Sequence, residues 1–153
     1  MGLDLNYIYG QTPIEEDEKE GLLIQTISIR GELDEFEQYN IEKAVEWTLK
    51  NKFKLERILT EDFILEVHYR MLNEVWSWAG KYRIVKTHLF PNGNGQHSRL
   101  CGDILISHGL GYPVFTWGGA DLSKKGEARK KYLDAIYNAD NSKYKPLIEF
   151  ARS

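Results

Sequence analysis

Apolar and charged positions alternate along this chain with a mainly helical period. From Asp34 to about Lys50, Ile41, Val45 and Leu49 recur four apart with charges between them, as on one face of a helix. Thr60 is a suitable N-cap, and Glu61 and Asp62 follow where carboxylates favour the helix dipole. Phe63, Ile64, Val67 and Met71 then mark one face of a helix running to about Val75. The segment Trp76-Ser77-Trp78-Ala79-Gly80-Lys81-Tyr82-Arg83 breaks that period and reads as a loop or one arm of a hairpin. Helical spacing returns from Gln96 to His108, with Leu100, Cys101, Ile104 and Leu105 on the apolar side; Gly109, Gly111 and Pro113 stop it. A further helix is expected over Ser123 to Ala139, carried by Ala128, Tyr132, Ala135 and Ile136, and a last short one from about Pro146. The β-branched run Leu22 to Ile29 is open between a short strand and a buried segment. The expected fold class is all-α, or mainly α, with at most a small β-hairpin or flap remnant. Residues 1–33 form an N-terminal extension to a helical core over 34–153, in one domain.

Composition narrows the function classes. The chain has 153 residues, 42% hydrophobic and 28% charged, which suits a folded domain rather than a disordered one. A formal net charge of -3 argues against duplex DNA as the main partner, because phosphate neutralisation needs a basic surface. Cys101 is the only cysteine, so no internal disulfide forms and a reducing cytoplasm is the expected location. The start, Met1-Gly2-Leu3-Asp4-Leu5, lacks the cationic and apolar pattern of a signal peptide. No stretch approaches the ~20 apolar residues that cross a bilayer.

The chemistry concentrates in His88-Leu89-Phe90-Pro91-Asn92-Gly93-Asn94-Gly95-Gln96-His97-Ser98-Arg99. Gly93 and Gly95 flank Asn94 directly before an expected helix, and both can take φ > 0 and let a ligand touch the backbone. Amides in such a turn converge on an anion, and the helix start adds unsatisfied N–H groups and partial positive charge. Arg99 lies one helical turn beyond Gly95 and can reach back over the same anion. His88, just ahead of the loop, is of the residue type that accepts a proton near neutral pH. Asn-Gly pairs also make ordinary turns, and on that reading His88 is a loop histidine and Arg99 a solvated one.

The same segment resembles the signature of the Fic (Fic/Doc) family, His-x-Phe-x-(Asp/Glu)-Gly-Asn-Gly-Arg-x-x-Arg. His88, Phe90, Gly93, Asn94, Gly95 and Arg99 match in register. The stretch from Thr60 through Arg83 is similar to the family's early helix and flap. Tyr132 to Asp140 and Tyr144 to Ile148 are similar to its C-terminal helices. The likeness is nearest to the bacterial branch labelled mobile mystery protein B, through Arg30-Gly31-Glu32-Leu33. The resemblance implies a protein adenylyltransferase that uses ATP with Mg²⁺ and no other cofactor. It would place AMP on a Ser, Thr or Tyr hydroxyl of a target protein. His88 would be the general base, Phe90 the anchor of the loop, Gly93, Asn94 and Gly95 the phosphate cradle, and Arg99 the partner of a terminal phosphate. A homo-oligomer or an antitoxin partner is in keeping with the family. The alternative is a non-catalytic nucleotide- or partner-binding relative, for example in a toxin–antitoxin system.

Three positions depart from that pattern. Asn92 stands where a carboxylate would hold Mg²⁺, and a neutral amide oxygen is a weaker ligand for a hard dication. Gln96 stands where the first arginine would clamp phosphate, and it offers a hydrogen bond without the charge. Only Ile84, Val85, Lys86 and Thr87 separate Arg83 from His88, where the family has the second flap arm and further helices. The expected consequence is a nucleotide site with slowed transfer. Ser28 and Glu32 have the spacing of the family's inhibitory motif, in which Glu32 would capture Arg99; an ordinary helix start with Glu32 in its first turn is the competing reading. His88, His97 and His108 match no compact zinc spacing.

Overall fold

The computed structural model describes Leu5 and residues 13–83, 88–119, 121–122 and 125–153. The fold is all-α: α1 (Glu16–Lys19), α2 (Arg30–Lys50), α3 (Leu55–Ile58), α4 (Glu61–Leu72), α5 (Asn94–Ile104), α6 (Glu127–Asp140) and α7 (Lys145–Ala151). A π turn, Leu105–Gly109, prolongs α5. Among the described residues β pairing is confined to isolated bridge positions, the antiparallel bridge of Leu22 to Trp76 among them, so the run from Leu22 to Ile29 is not a continuous strand. No helix among the described residues is long and apolar enough to cross a membrane.

Two compact units divide the chain. The first ends at Tyr112 and the second runs Pro113–Ser153. In the first, α2 packs on α4 and α4 on α5. Leu33, Ile41, Ala44, Phe63, Val67, Met71 and Leu72 fill the space between them. The buried face of α2 differs from the expected one. It carries Leu33, Glu37, Asn40, Ile41, Ala44 and Thr48, whereas Val45 is 37% and Leu49 78% exposed. Three polar residues lie on the inner side, so apolar spacing alone points the helix the wrong way.

One of those polar residues explains where α4 stops. Asn40 Nδ2 donates to the Arg70 carbonyl at 3.0 Å, and its Oδ1 accepts from the Glu74 amide at 2.8 Å. A side chain from α2 thus satisfies backbone groups at the end of α4, which closes at Leu72 rather than near Val75. The start of α4 is as expected: Thr60 Oγ1 accepts from the Phe63 amide at 3.3 Å.

The second unit has its own small core. Tyr132 and Ala135 of α6 and Ala151 of α7 are buried, with Phe150 5.5 Å from the Tyr132 ring. Pro146 sits in the first turn of α7. The expected start of α6 at Ser123 and the lysine at 124 lie outside the described residues, as do Ile84, Val85, Lys86 and Thr87.

Candidate functional site

The loop Leu89–Gly93 is fixed to the first unit mainly through one ring. Phe90 is fully buried, stacked on His68 of α4 with centroids 3.6 Å apart and planes 7° from parallel. Tyr82 stacks at 5.7 Å and His97 meets Phe90 edge-on at 4.9 Å. Leu89 and His88, immediately before Phe90, are exposed. The chain ahead of the loop is closed by the Arg83 amide, which donates to the Leu89 carbonyl at 3.0 Å. The Arg83 guanidinium is itself held by both carboxylate oxygens of Glu18, at 2.6 Å each.

Hydrogen bonds then set each residue of the loop. Asn94 Oδ1 accepts from the Phe90 amide at 2.9 Å and its Nδ2 donates to the Phe90 carbonyl at 2.7 Å, so one side chain pairs with both backbone groups. Gly93 adopts φ 73°, a left-handed conformation that favours glycine, and is the N-cap of α5. Its carbonyl accepts from the His97 amide at 2.8 Å, the first bond of the helix. Gly93 supplies no side-chain cap, and helix geometry leaves the amides ahead of His97 without intrahelical partners. Gly95 is exposed and helical, so the expectation of positive φ at both glycines holds at Gly93 only. Helix α5 begins at Asn94, two residues before the expected start at Gln96.

Arg99 folds back along its own helix. A methyl group placed on Gly95 would lie 3.3 Å from Arg99 Nη1, so the guanidinium covers the first turn of α5. Gln96 is half-buried in that turn. The start of α5 therefore brings together Gly93, Asn94, Gly95, Gln96 and Arg99, with His88 on the exposed approach to the loop. Glu32 belongs elsewhere. Its carboxylate accepts from the Ser28 amide at 3.1 Å, as an ordinary helix start does.

Two residues that the motif does not contain complete the site. His68 Nδ1 accepts from the Gly80 amide at 2.9 Å, so the ring proton is on Nε2, which donates to the Asn92 carbonyl at 3.1 Å. Burial lowers its pKa to about 4, so the ring is neutral at physiological pH. Glu37 of α2 is buried, and its Oε1 accepts from Trp76 Nε1 at 2.7 Å and from Asn92 Nδ2 at 2.6 Å. Burial lifts this carboxyl to about 6, while the two hydrogen bonds and Arg30 pull it down. Both residues carried a signal in the sequence. Glu37 lies four from Leu33 and Ile41 in one stripe, and His68 lies between Val67 and Met71 on the apolar face of α4.

The residues present do not by themselves make a Mg²⁺ site. Asn92 spends its amide nitrogen on Glu37 and leaves one neutral oxygen, and among the described residues no three His, Cys, Asp or Glu side chains cluster. His97 Nε2 is bonded to the Ile64 carbonyl at 2.9 Å, and His108 Nδ1 accepts from the Phe53 amide at 3.4 Å. Each has a structural partner in the first unit. No family model, no curated protein and no solved structure matches this chain.

Proposed function

We propose that this protein is a Fic-type nucleotidyltransferase that moves AMP from ATP to a Ser, Thr or Tyr hydroxyl of a target protein. The observation that carries the reading is the Arg99 guanidinium lying over Gly95 at the uncapped start of α5. A helix N-terminus and a guanidinium are two independent sources of attraction for phosphate oxygens, and here they share one turn. In this reading the α5 amides and Gln96 hold the polyphosphate and Arg99 pairs with its terminal group. His88 takes the proton of the incoming hydroxyl, whose oxygen attacks the α-phosphorus while pyrophosphate leaves. Placement and charge stabilisation do most of such catalysis, which suits a loop fixed at as many points as this one. Mg²⁺ supplied with the nucleotide, rather than held by side chains of this chain, would neutralise phosphate charge. A reducing cytoplasm suits the single thiol, and a homo-oligomer or an antitoxin is the partner that the family resemblance implies.

One observation favours a second reading. Asn92 is committed to Glu37 and position 96 carries no charge, so the loop has fewer groups for metal and phosphate than the motif it resembles. A protein that binds nucleotide, or a partner, without transferring it meets that description. Incubation with ATP labelled at the α-phosphate separates the two. The transferase reading expects a covalently labelled protein product that His88→Ala abolishes. Label that persists in His88→Ala, or a nucleotide-binding wild type that never forms product, rejects transfer by this site.

A further inference from the structure

Asn92 is gripped at two atoms by two different helices. His68 of α4 donates to its carbonyl, and Glu37 of α2 accepts from its side-chain nitrogen. A carboxylate has acceptors only, so the nitrogen of the Asn92 amide, not its oxygen, must face Glu37. The same Glu37 oxygen also takes the Trp76 indole N–H. Trp76 is 1% exposed, and Glu37 itself 6%. The neighbouring charges on α2 are Arg30 and Asp34. The bond therefore sits in a poorly hydrated place, where a wrong partner is costly. An aspartate at 92 would set a second carboxylate against Glu37 at a distance where both cannot ionise.

We infer that Glu37 is a positioning residue for the phosphate loop: by accepting from Asn92 Nδ2 it fixes the residue ahead of the Gly93 cap and makes an amide obligatory at position 92. The direction of the first α5 amides follows from Gly93, and Gly93 follows from Asn92. Glu37 thus acts on bound phosphate only through the loop. The effect on binding rests on the nucleotide reading above; the effect on the loop does not.

The experiment is a double-mutant cycle with two readouts on the full chain: hydrogen exchange of the amides of residues 88–97 without ligand, and calorimetric titration with ATP and Mg²⁺. Glu37→Ala and Asn92→Asp should each lose loop protection and weaken ATP affinity by roughly tenfold or more. Glu37→Gln keeps an accepting oxygen and should recover most of what Glu37→Ala loses. In Asn92→Asp/Glu37→Gln the new amide can donate to the new carboxylate, so both readouts should return towards the wild type. A merely structural role for Glu37 predicts no such rescue, because the two changes would then add. Unaltered exchange in Glu37→Ala and Asn92→Asp, or a double variant no better than Asn92→Asp, overturns the inference whatever ATP does. The expected exchange pattern in a chain that gives no heat with ATP supports Glu37 as the positioning residue and overturns the nucleotide reading instead.

Discussion

His68 has no room for a second proton. Its Nδ1 faces the Gly80 N–H, so an imidazolium would set two donors against each other in a buried place. Its pKa of about 4 lies below the ordinary 6.5, so the unfolded chain gains a proton as pH falls through 6.5 while the folded one does not. Stability from this group is present above 6.5 and lost towards 4, by about 3 kcal/mol. Glu37 has the opposite sign. Its pKa of about 6 lies above the ordinary 4.5, so as pH falls from 6 to 4.5 the cost of its buried charge disappears, a gain of about 2 kcal/mol. The two offset each other in that window. Urea unfolding of the wild type between pH 7.5 and 4.5 should therefore show a shallow decline, and Glu37→Gln a steeper one. Parallel curves for the two proteins would contradict the assignment of the buried charge to Glu37.

At the scale of elements, the start of α5 depends on a single backbone conformation. Gly93 at φ 73° turns the chain from the loop into the helix, and a methyl group there would also lie 3.1 Å from Leu72 Cδ1. Gly93→Ala should cost about 1–2 kcal/mol in denaturant unfolding, because an L side chain is strained in the left-handed region. A change below a few tenths would mean that the loop tolerates another path into α5. Helices α4 and α5 were legible in the sequence because each carries a conventional signal. Thr60 caps the first, and glycines bound the second. The orientation of α2 was not legible. Its inner face is built from Glu37, Asn40 and Thr48 as well as aliphatic residues, and its partners, Asn92, Trp76 and the end of α4, lie thirty or more positions away in the chain. A polar residue that completes another element looks, in the sequence, like a solvated one. Helix α4 closes early because a side chain from α2 takes up its last backbone groups, whereas α5 begins early at the local glycine cap beside Asn94.

Over the whole molecule, the residues proposed to act on nucleotide all lie in the first unit, which ends at Tyr112. Its N-terminal segment is tied to the approach to the loop, since Arg83 binds Glu18 and the Pro13 carbonyl while its amide holds Leu89. The all-α class was readable from helical spacing along the chain, and the approach of Arg99 to Gly95 from spacing within one short window. Glu37 and His68 show in the sequence only as polar residues on apolar stripes, because their relation to that window exists only in three dimensions. Phosphate binding at the start of α5 is the step on which the proposed activity depends, and one titration reaches it most directly: ATP with Mg²⁺ into the wild type and into Arg99→Ala, followed by calorimetry. Saturable heat in the wild type with affinity at least about tenfold weaker in Arg99→Ala is the expected result, as for loss of a charge-assisted phosphate contact. No heat in the wild type, or equal affinity in the two proteins, would contradict it.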